Sequence, residues 1–278
     1  MKIGIVGGGV VGQATRLLET LDHQVCIYDL RAEKCSPVET SLQDVADCEV
    51  IFICLPTPAT PNGSTDTSCV EDCISEVRQL ALHSRIGSPP STIVVRSTIP
   101  MGTAEALNVC HMPEFLTEIR ALDDFAATRR WILGVPHPVA SSGLAQQRIR
   151  DILSSAHRYG KIASQTLCVC SNSEAELVKY YRNCFLALKV SFCNEIEQFC
   201  RRTGVDYETV REMATADPRI GRSHTEVPGP DGQRGYGGKC FPKDMRSLVF
   251  EMQTLGMDAP VLAGAIKRNT EEDRLDPL

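Results

Sequence analysis

The sequence has no long hydrophobic run: none of its windows approaches the roughly 18 apolar residues of a membrane-spanning helix, so no such span is expected. Nor does it have a basic block. Its formal charge of -6 is spread along all 278 residues, which removes the electrostatic footprint for nucleic acid or an anionic membrane surface. No C-x-x-C pair occurs among its 13 cysteines, so a zinc ribbon is excluded. Cys168 and Cys170, one residue apart in a predicted strand, point to opposite faces, and no metal is expected there. The opening MKIGIVGGGVVG lacks the longer apolar stretch and cleavage site of a secretory signal, and a cytoplasmic location is expected. The one tryptophan, Trp131, is expected to pack in a strand, and the six histidines to be solvated or at the edge of the core. What is present is ordinary globular composition, 42% hydrophobic and 23% charged, enough to bury a sizeable core in two domains.

The first half alternates β-rich runs (KIGIV, QVCIYDL, EVIFICLP, TIVVRSTIP, WILGV and later TLCVC) with helical stretches. This alternation predicts an α/β domain over residues 1–171: a Rossmann-like, doubly wound parallel sheet covered by helices. The proline-rich loop after EVIFICLP, containing Pro56 and Thr57, falls at a strand's carboxyl end, where such sheets bind ligands. Residues 172–278 are expected to form an all-helical central and dimerisation domain. There Ser173-x-x-Glu176 reads as a capping box, followed by a helix to Thr203 about 45 Å long. Leu177, Val178, Tyr181, Phe185, Leu188 and Phe192 recur at helical spacing, so one side should be covered. Shorter helices are predicted in VDYETVREMATA, DMRSLVFEMQTLG and VLAGAIKRNTEED.

Gly7-x-Gly9-x-x-Gly12 follows the first strand and opens a predicted helix. In this context the glycines allow a tight turn and bring a pyrophosphate close to backbone N–H groups at a helix N-terminus. Asp29 closes the second strand, 17 residues after Gly12, where a carboxylate accepts hydrogen bonds from the ribose hydroxyls and repels the extra phosphate of NADP. The cofactor indicated is NAD.

The segment Gly235-Tyr-Gly-Gly-Lys-Cys-Phe-Pro-Lys-Asp244 sets glycines just before a cysteine, letting the backbone approach a ligand, with Asp244 one helical turn after Cys240. Taken alone, a cysteine is more often a buried inert thiol than a nucleophile. At this segment the sequence resembles the UDP-glucose/GDP-mannose dehydrogenase family, whose signature is G-[FY]-G-G-x-C-F-x-K-D. The resemblance extends to Ser97-Thr98-Ile99-Pro100, to Pro113-Glu114-Phe115-Leu116-Thr117-Glu118, to Lys179-x-x-x-Asn183-x-Phe185-Leu186-Ala187, and to Asp217-Pro-Arg219-Ile220-Gly221.

The resemblance implies four-electron oxidation of a nucleotide sugar's C6 alcohol to the carboxylate, UDP-glucose being the first expectation. In it Cys240 forms a thiohemiacetal and then a thioester. Lys179 and Asn183 would stabilise a developing oxyanion, Asp244 and Thr98 would position a water, and Glu118 and Glu114 are both candidates for general base and substrate contact, with either carboxylate open to move the proton. The cofactor would be held by Gly7, Gly9, Val10, Val11, Gly12, Asp29, Pro56, Thr57, Thr98, Glu118 and Lys243. The substrate would be held by Glu114, Phe115, Leu116, Lys179, Asn183, Tyr236, Gly237 and Cys240, with Arg219 reaching across a homodimer built on the long helix.

Two departures accompany the resemblance. Only 26 residues separate Asp29 from Pro56, where the family has a longer excursion, and the family usually continues into a C-terminal nucleotide-binding domain that this sequence does not contain. The rival readings are a two-electron hydroxyacid-type dehydrogenase, which needs no such cysteine, and a silent NAD-binding module.

Overall fold

The computed structural model describes residues 1–84 and 86–274. The chain divides into two compact units, one formed by Met1–Pro58 with Asp66–Lys179, the other by Ala59–Thr65 with the chain from Tyr180 onward.

The first unit is a seven-stranded sheet: β1 (Lys2–Val6), β2 (Gln24–Tyr28), β3 (Val50–Ile53), β4 (Thr92–Val95), β5 (Cys110–His111), β6 (Trp131–Val135) and β7 (Leu167–Ser171), in the order β2-β1-β3-β4-β5-β6-β7. All pairings are parallel except β5 with β6, joined antiparallel through His111 and Gly134. VIFI of β3 and TIVV of β4 are buried at every position, as central parallel strands covered on both faces must be. One face packs Ile3, Ile5, Phe52 and Val94 against α1 (Val10–Thr15), α5 (Ala121–Ala126) and α6 (Gly143–Arg158). The other packs Ile51, Ile53, Ile93 and Val95 against α2 (Leu42–Ala46), α3 (Ser68–Ser84) and α4 (Thr103–Ala106). On α6 the buried Ile149, Ile152, Leu153 and Ala156 follow the three- and four-residue helical spacing. The fold is thus doubly wound, with its topological switch between β1 and β3.

The helix expected from Ser173 is α7 (Asn172–Thr203), but its cap lies two residues earlier than the sequence predicts. Ser171 and Glu174 exchange the reciprocal bonds, Ser171 N–H to Glu174 Oε2 at 2.8 Å and Glu174 N–H to Ser171 Oγ at 3.3 Å. Glu176, fully buried, accepts instead from the N–H groups of Gly102 (2.6 Å) and Ala104 (2.8 Å) at the start of α4. The boundary between the two units falls inside this helix, at Lys179/Tyr180.

The second unit continues α7 and adds α8 (Tyr207–Thr215), α9 (Phe241–Thr254) and α10 (Pro260–Arg268), the last leading into a wide turn over Asn269–Asp273. Asp206 caps α8 through Thr209 N–H, and prolines occupy the first turns of α9 and α10, where a missing N–H costs nothing. Its core gathers Cys184, Ala187, Tyr236, Met245, Leu262 and Ala265.

The buried side of α7 carries small or polar residues, Ala175, Lys179, Asn183, Cys184, Ala187, Ser191 and Asn194, around the one large ring of Tyr180. Leu177, Tyr181, Phe185 and Phe192, expected to be covered, are exposed, as is Phe199. Helical spacing reports a shared face and not which face the chain itself covers.

Candidate functional site

In the first unit the glycine loop leaves β1 at the switch point. Gly7 has φ +100°, and a Cβ there would lie 2.4 Å from the Cys54 carbonyl oxygen. A Cβ at Gly12 would lie 1.9 Å from the Gly7 oxygen, so α1 seats on the turn only with glycine at that position. Around Gly9, by contrast, a Cβ would meet nothing within 4 Å. The open space at the second glycine is where a ligand's phosphates can reach the backbone.

Asp29 is fixed beside this loop, its Oδ2 accepting Gly8 N–H at 2.7 Å and its Oδ1 accepting Arg31 N–H at 3.0 Å. Partial burial raises its pKa, but the N–H groups of Arg31 and Gly8 outweigh that and hold it below the ordinary aspartate value. The carboxylate is therefore ionised and oriented, which fits a ribose diol. A cleft of about 510 Å³ joins Gly8, Gly9 and Val10 to Glu118. Lys34 and Arg120 also line it, two cations that the sequence reading missed. Lys34, five residues after Asp29, and Arg120, two after Glu118, stand outside every motif, so the sequence offers no signal for them beyond their charge.

Deeper in the same unit Glu114 (9% exposed) and Lys179 (4%) form a buried pair. Lys179 Nζ donates to Glu114 Oε1 at 2.6 Å and to its carbonyl oxygen at 2.7 Å, while Leu116 N–H donates to Oε2 at 2.7 Å. Burial opposes the charge on Glu114, but the Lys179 ammonium, the Leu116 N–H and the guanidinium of buried Arg96 prevail and lower its pKa. Such a carboxylate orients Lys179 more readily than it takes up protons at neutral pH. Two of the three Lys179 donors are used by Glu114. His111, expected at the core edge, is fully buried, its pKa pushed down to about 3 by desolvation, with Lys179 and Arg96 adding to the effect. It is a neutral packing group. Thr98 receives a hydrogen bond on its carbonyl from Thr57 Oγ1 at 2.7 Å, joining two of the expected cofactor residues.

In the second unit Cys240 is exposed at the N-cap of α9, where unpaired N–H groups favour negative charge. Its carbonyl accepts Asp244 N–H at 2.9 Å. Asp244 is fully buried, with Asn183 Nδ2 at 2.6 Å on Oδ2 and Lys243 Nζ at 2.6 Å on Oδ1. Asn183, Lys243 and Asp244 therefore meet under the first turn of the cysteine helix. Asp244 is a structural hub there, and Lys243, expected on the cofactor, is tied to it. Tyr236 is buried in the core and Gly237 follows it in the loop. Arg219 is 88% exposed at its side chain and paired with Asp217 at 2.6 Å.

Family models match both parts of the chain: the UDP-glucose/GDP-mannose dehydrogenase NAD binding domain over residues 36–153 and the central domain over residues 173–271. A UDP-glucose 6-dehydrogenase of Pseudomonas aeruginosa is 35% identical over 84% of this chain and 51% of its own length. One from Rickettsia typhi is 30% identical over 97% of this chain and 67% of its own. The solved structure of a UDP-glucose dehydrogenase from Pyrobaculum islandicum superimposes with TM-score 0.81 at 28% identity, covering 96% of this chain and 67% of that one. The chain thus spans about half to two thirds the length of such relatives. With a glycine loop and ionised Asp29 suited to NAD in one unit and a cysteine at a helix start in the other, the chain belongs to the UDP-glucose/GDP-mannose dehydrogenase family.

Proposed function

We propose that the chain oxidises the C6 alcohol of a nucleotide sugar, UDP-glucose first among candidates, to the carboxylate in two NAD-dependent steps. The observation that carries this reading is Cys240, exposed at the start of α9 and joined to Asp244 one turn later. A two-electron dehydrogenase that stops at the carbonyl has no use for such a thiol.

Gly7, Gly9, Gly12 and Asp29 would hold NAD, with Lys34 and Arg120 near its phosphates, and when bound it supplies the acceptor for each hydride. Every other role belongs to the chain. Lys179, locked by Glu114, directs its third donor to the C6 oxygen, and Asn183, one turn further along α7, offers the carboxamide groups that Asp244 does not engage. Both lower the cost of negative charge on that oxygen. The Cys240 sulfur adds to the aldehyde carbon while the oxygen takes up a proton, giving a thiohemiacetal. After loss of the second hydride the carbon is held as a thioester, and water releases the acid and restores the thiol. Glu118, lining the cofactor cleft, is the better placed of the two glutamates to accept a proton, because Glu114 is engaged by Lys179.

The test is to supply UDP-glucose, GDP-mannose and N-acetylated UDP-sugars with NAD and count NADH formed per sugar consumed. A ratio of two is expected with one of them. A ratio of one would move the chain to the two-electron class.

The exposed aromatic stripe of α7, with Tyr181 and Phe185 stacked at 6.3 Å between ring centroids, supports a homodimer through this helix. Sedimentation at micromolar concentration should give a dimer, and Phe185→Glu with Phe192→Glu should give a monomer. A parent that sediments as monomer would leave both the stripe and Arg219 without this role.

A further inference from the structure

The residues before Cys240 are poorly suited to holding anything still. Gly235, Gly237 and Gly238 surround Tyr236, and Gly235 and Gly238 have φ +66° and +74°. Glycines give a loop more conformational freedom to lose than any other residue. Burial falls along the loop, from Gly235 and Tyr236 inside the fold to exposed Gly238, Lys239 and Cys240. Something must therefore fix the loop at its buried root.

Two buried carboxamides do so. Asn269, 5% exposed and the first residue of the wide turn after α10, accepts Tyr236 N–H on Oδ1 at 2.8 Å and donates Nδ2 to the Tyr236 carbonyl at 3.0 Å. One side chain thus pairs with both main-chain groups of one residue, as a neighbouring strand would. Asn194 of α7, 1% exposed, accepts Gly235 N–H at 3.1 Å. The fit is close: a Cβ on Gly235 would lie 2.4 Å from Asn269 Oδ1 and 3.0 Å from Asp273 Cβ. At the other end, Asp244 anchors the first turn of α9 through Asn183 and Lys243. The cysteine is held between these two anchors.

We infer that Asn269, assisted by Asn194, is a positioning residue that sets the location of the Cys240 thiol by clamping the main chain of Tyr236. The inference rests on the reading of Cys240 as the nucleophile. Asparagine is needed because it is neutral and offers a donor and an acceptor together. Aspartate keeps the shape but loses the donor and sets a negative charge against the Tyr236 carbonyl. A shift of the reacting atom by about 1 Å costs on the order of 10²-fold in rate, while NAD binding in the other unit is untouched.

The test uses the full chain and Asn269→Ala, Asn269→Asp and Asn194→Ala, the last two guarding against a first variant that fails to fold. Amide exchange of Tyr236 should quicken about tenfold in Asn269→Ala and that of Gly235 in Asn194→Ala, while Asn269→Asp keeps the acceptor for Tyr236 N–H and loses the bond to its carbonyl. Peptide-resolved alkylation of Cys240 by iodoacetamide should change rate in the same variants, with circular dichroism and NAD affinity as in the parent. With an active sugar, kcat should fall about 10²-fold, with NADH per sugar dropping from two toward one as aldehyde escapes. Exchange and alkylation equal to the parent's in every folded variant would overturn the clamp. If those two readouts respond but no nucleotide sugar yields NADH, the clamp stands and the proposed activity is what fails.

Discussion

Replacing Cys240 by serine is expected to slow carboxylate formation on the order of 10⁴-fold or more, with NAD affinity unchanged. Serine matches the thiol in shape, so α9 and the Asp244 anchor beneath it should persist. What changes is chemistry: a hydroxyl is a far weaker nucleophile than a thiol, and its esters hydrolyse less readily than thioesters. The first oxidation needs no sulfur, so the variant should release aldehyde or accumulate a slow-turning acyl adduct. Intact-mass measurement after mixing with NAD and the active sugar reads the adduct, and product analysis reads the aldehyde. Cys240 is exposed, so the loss cannot be put down to a cavity in the core. A folded variant making carboxylate at the parent rate would return Cys240 to the ordinary thiols and take the four-electron mechanism with it.

The second large effect concerns stability. Glu114→Gln removes the charge that balances Lys179 in a place where both partners are at least nine-tenths buried, and breaking such a pair commonly costs about 3–5 kcal/mol. Chemical denaturation should show that loss, reduced to the extent that the glutamine oxygen still accepts from Nζ. Adding Lys179→Met should recover part of it, because no uncompensated charge is then buried. The acid limb follows from the lowered pKa of Glu114. A depressed carboxylate contributes stability that is fully present above its unfolded value of about 4.3 and is lost as pH falls through the lower folded value. The difference in stability between the parent and Glu114→Gln should therefore be constant from neutral pH to near that value and shrink below it. A difference that stayed constant through pH 3 would remove the pair from the account.

Much of this was legible in the sequence where one residue type alone fits a local requirement. Gly7 and Gly12 were readable because a Cβ at either collides with main chain, and the central strands because continuous apolar runs must be covered on both faces. The Cys240 segment was legible as a motif. Features that depend on partners distant in sequence were not. β5 is two residues long and has no pattern to read, and its antiparallel pairing with β6 reverses what the alternation of elements predicts. The α7 cap was misplaced because Ser171-x-x-Glu174 and Ser173-x-x-Glu176 have the same spacing, and only the demand of α4 for an acceptor takes Glu176 away. Asn194 and Asn269 carry no sequence signal, since what they bind is main chain.

The shortness of β5 also bears on how the sheet responds to cold. Hydrogen bonding across it runs through Val94 with Cys110 and Val95 with His111 on one side and the single register pair His111 with Gly134 on the other. Side chains do the joining instead: Val94, Cys110, Met112, Phe125, Leu133 and Val135 form one continuous apolar cluster across the line. Apolar packing weakens as water is cooled, and β1 to β4 rest on it too, but they carry in addition ladders of four or five register pairs that the β5 line lacks. The β5 line, with two register pairs on one side and one on the other, is thus where the sheet depends most on apolar packing and where cooling is expected to tell first.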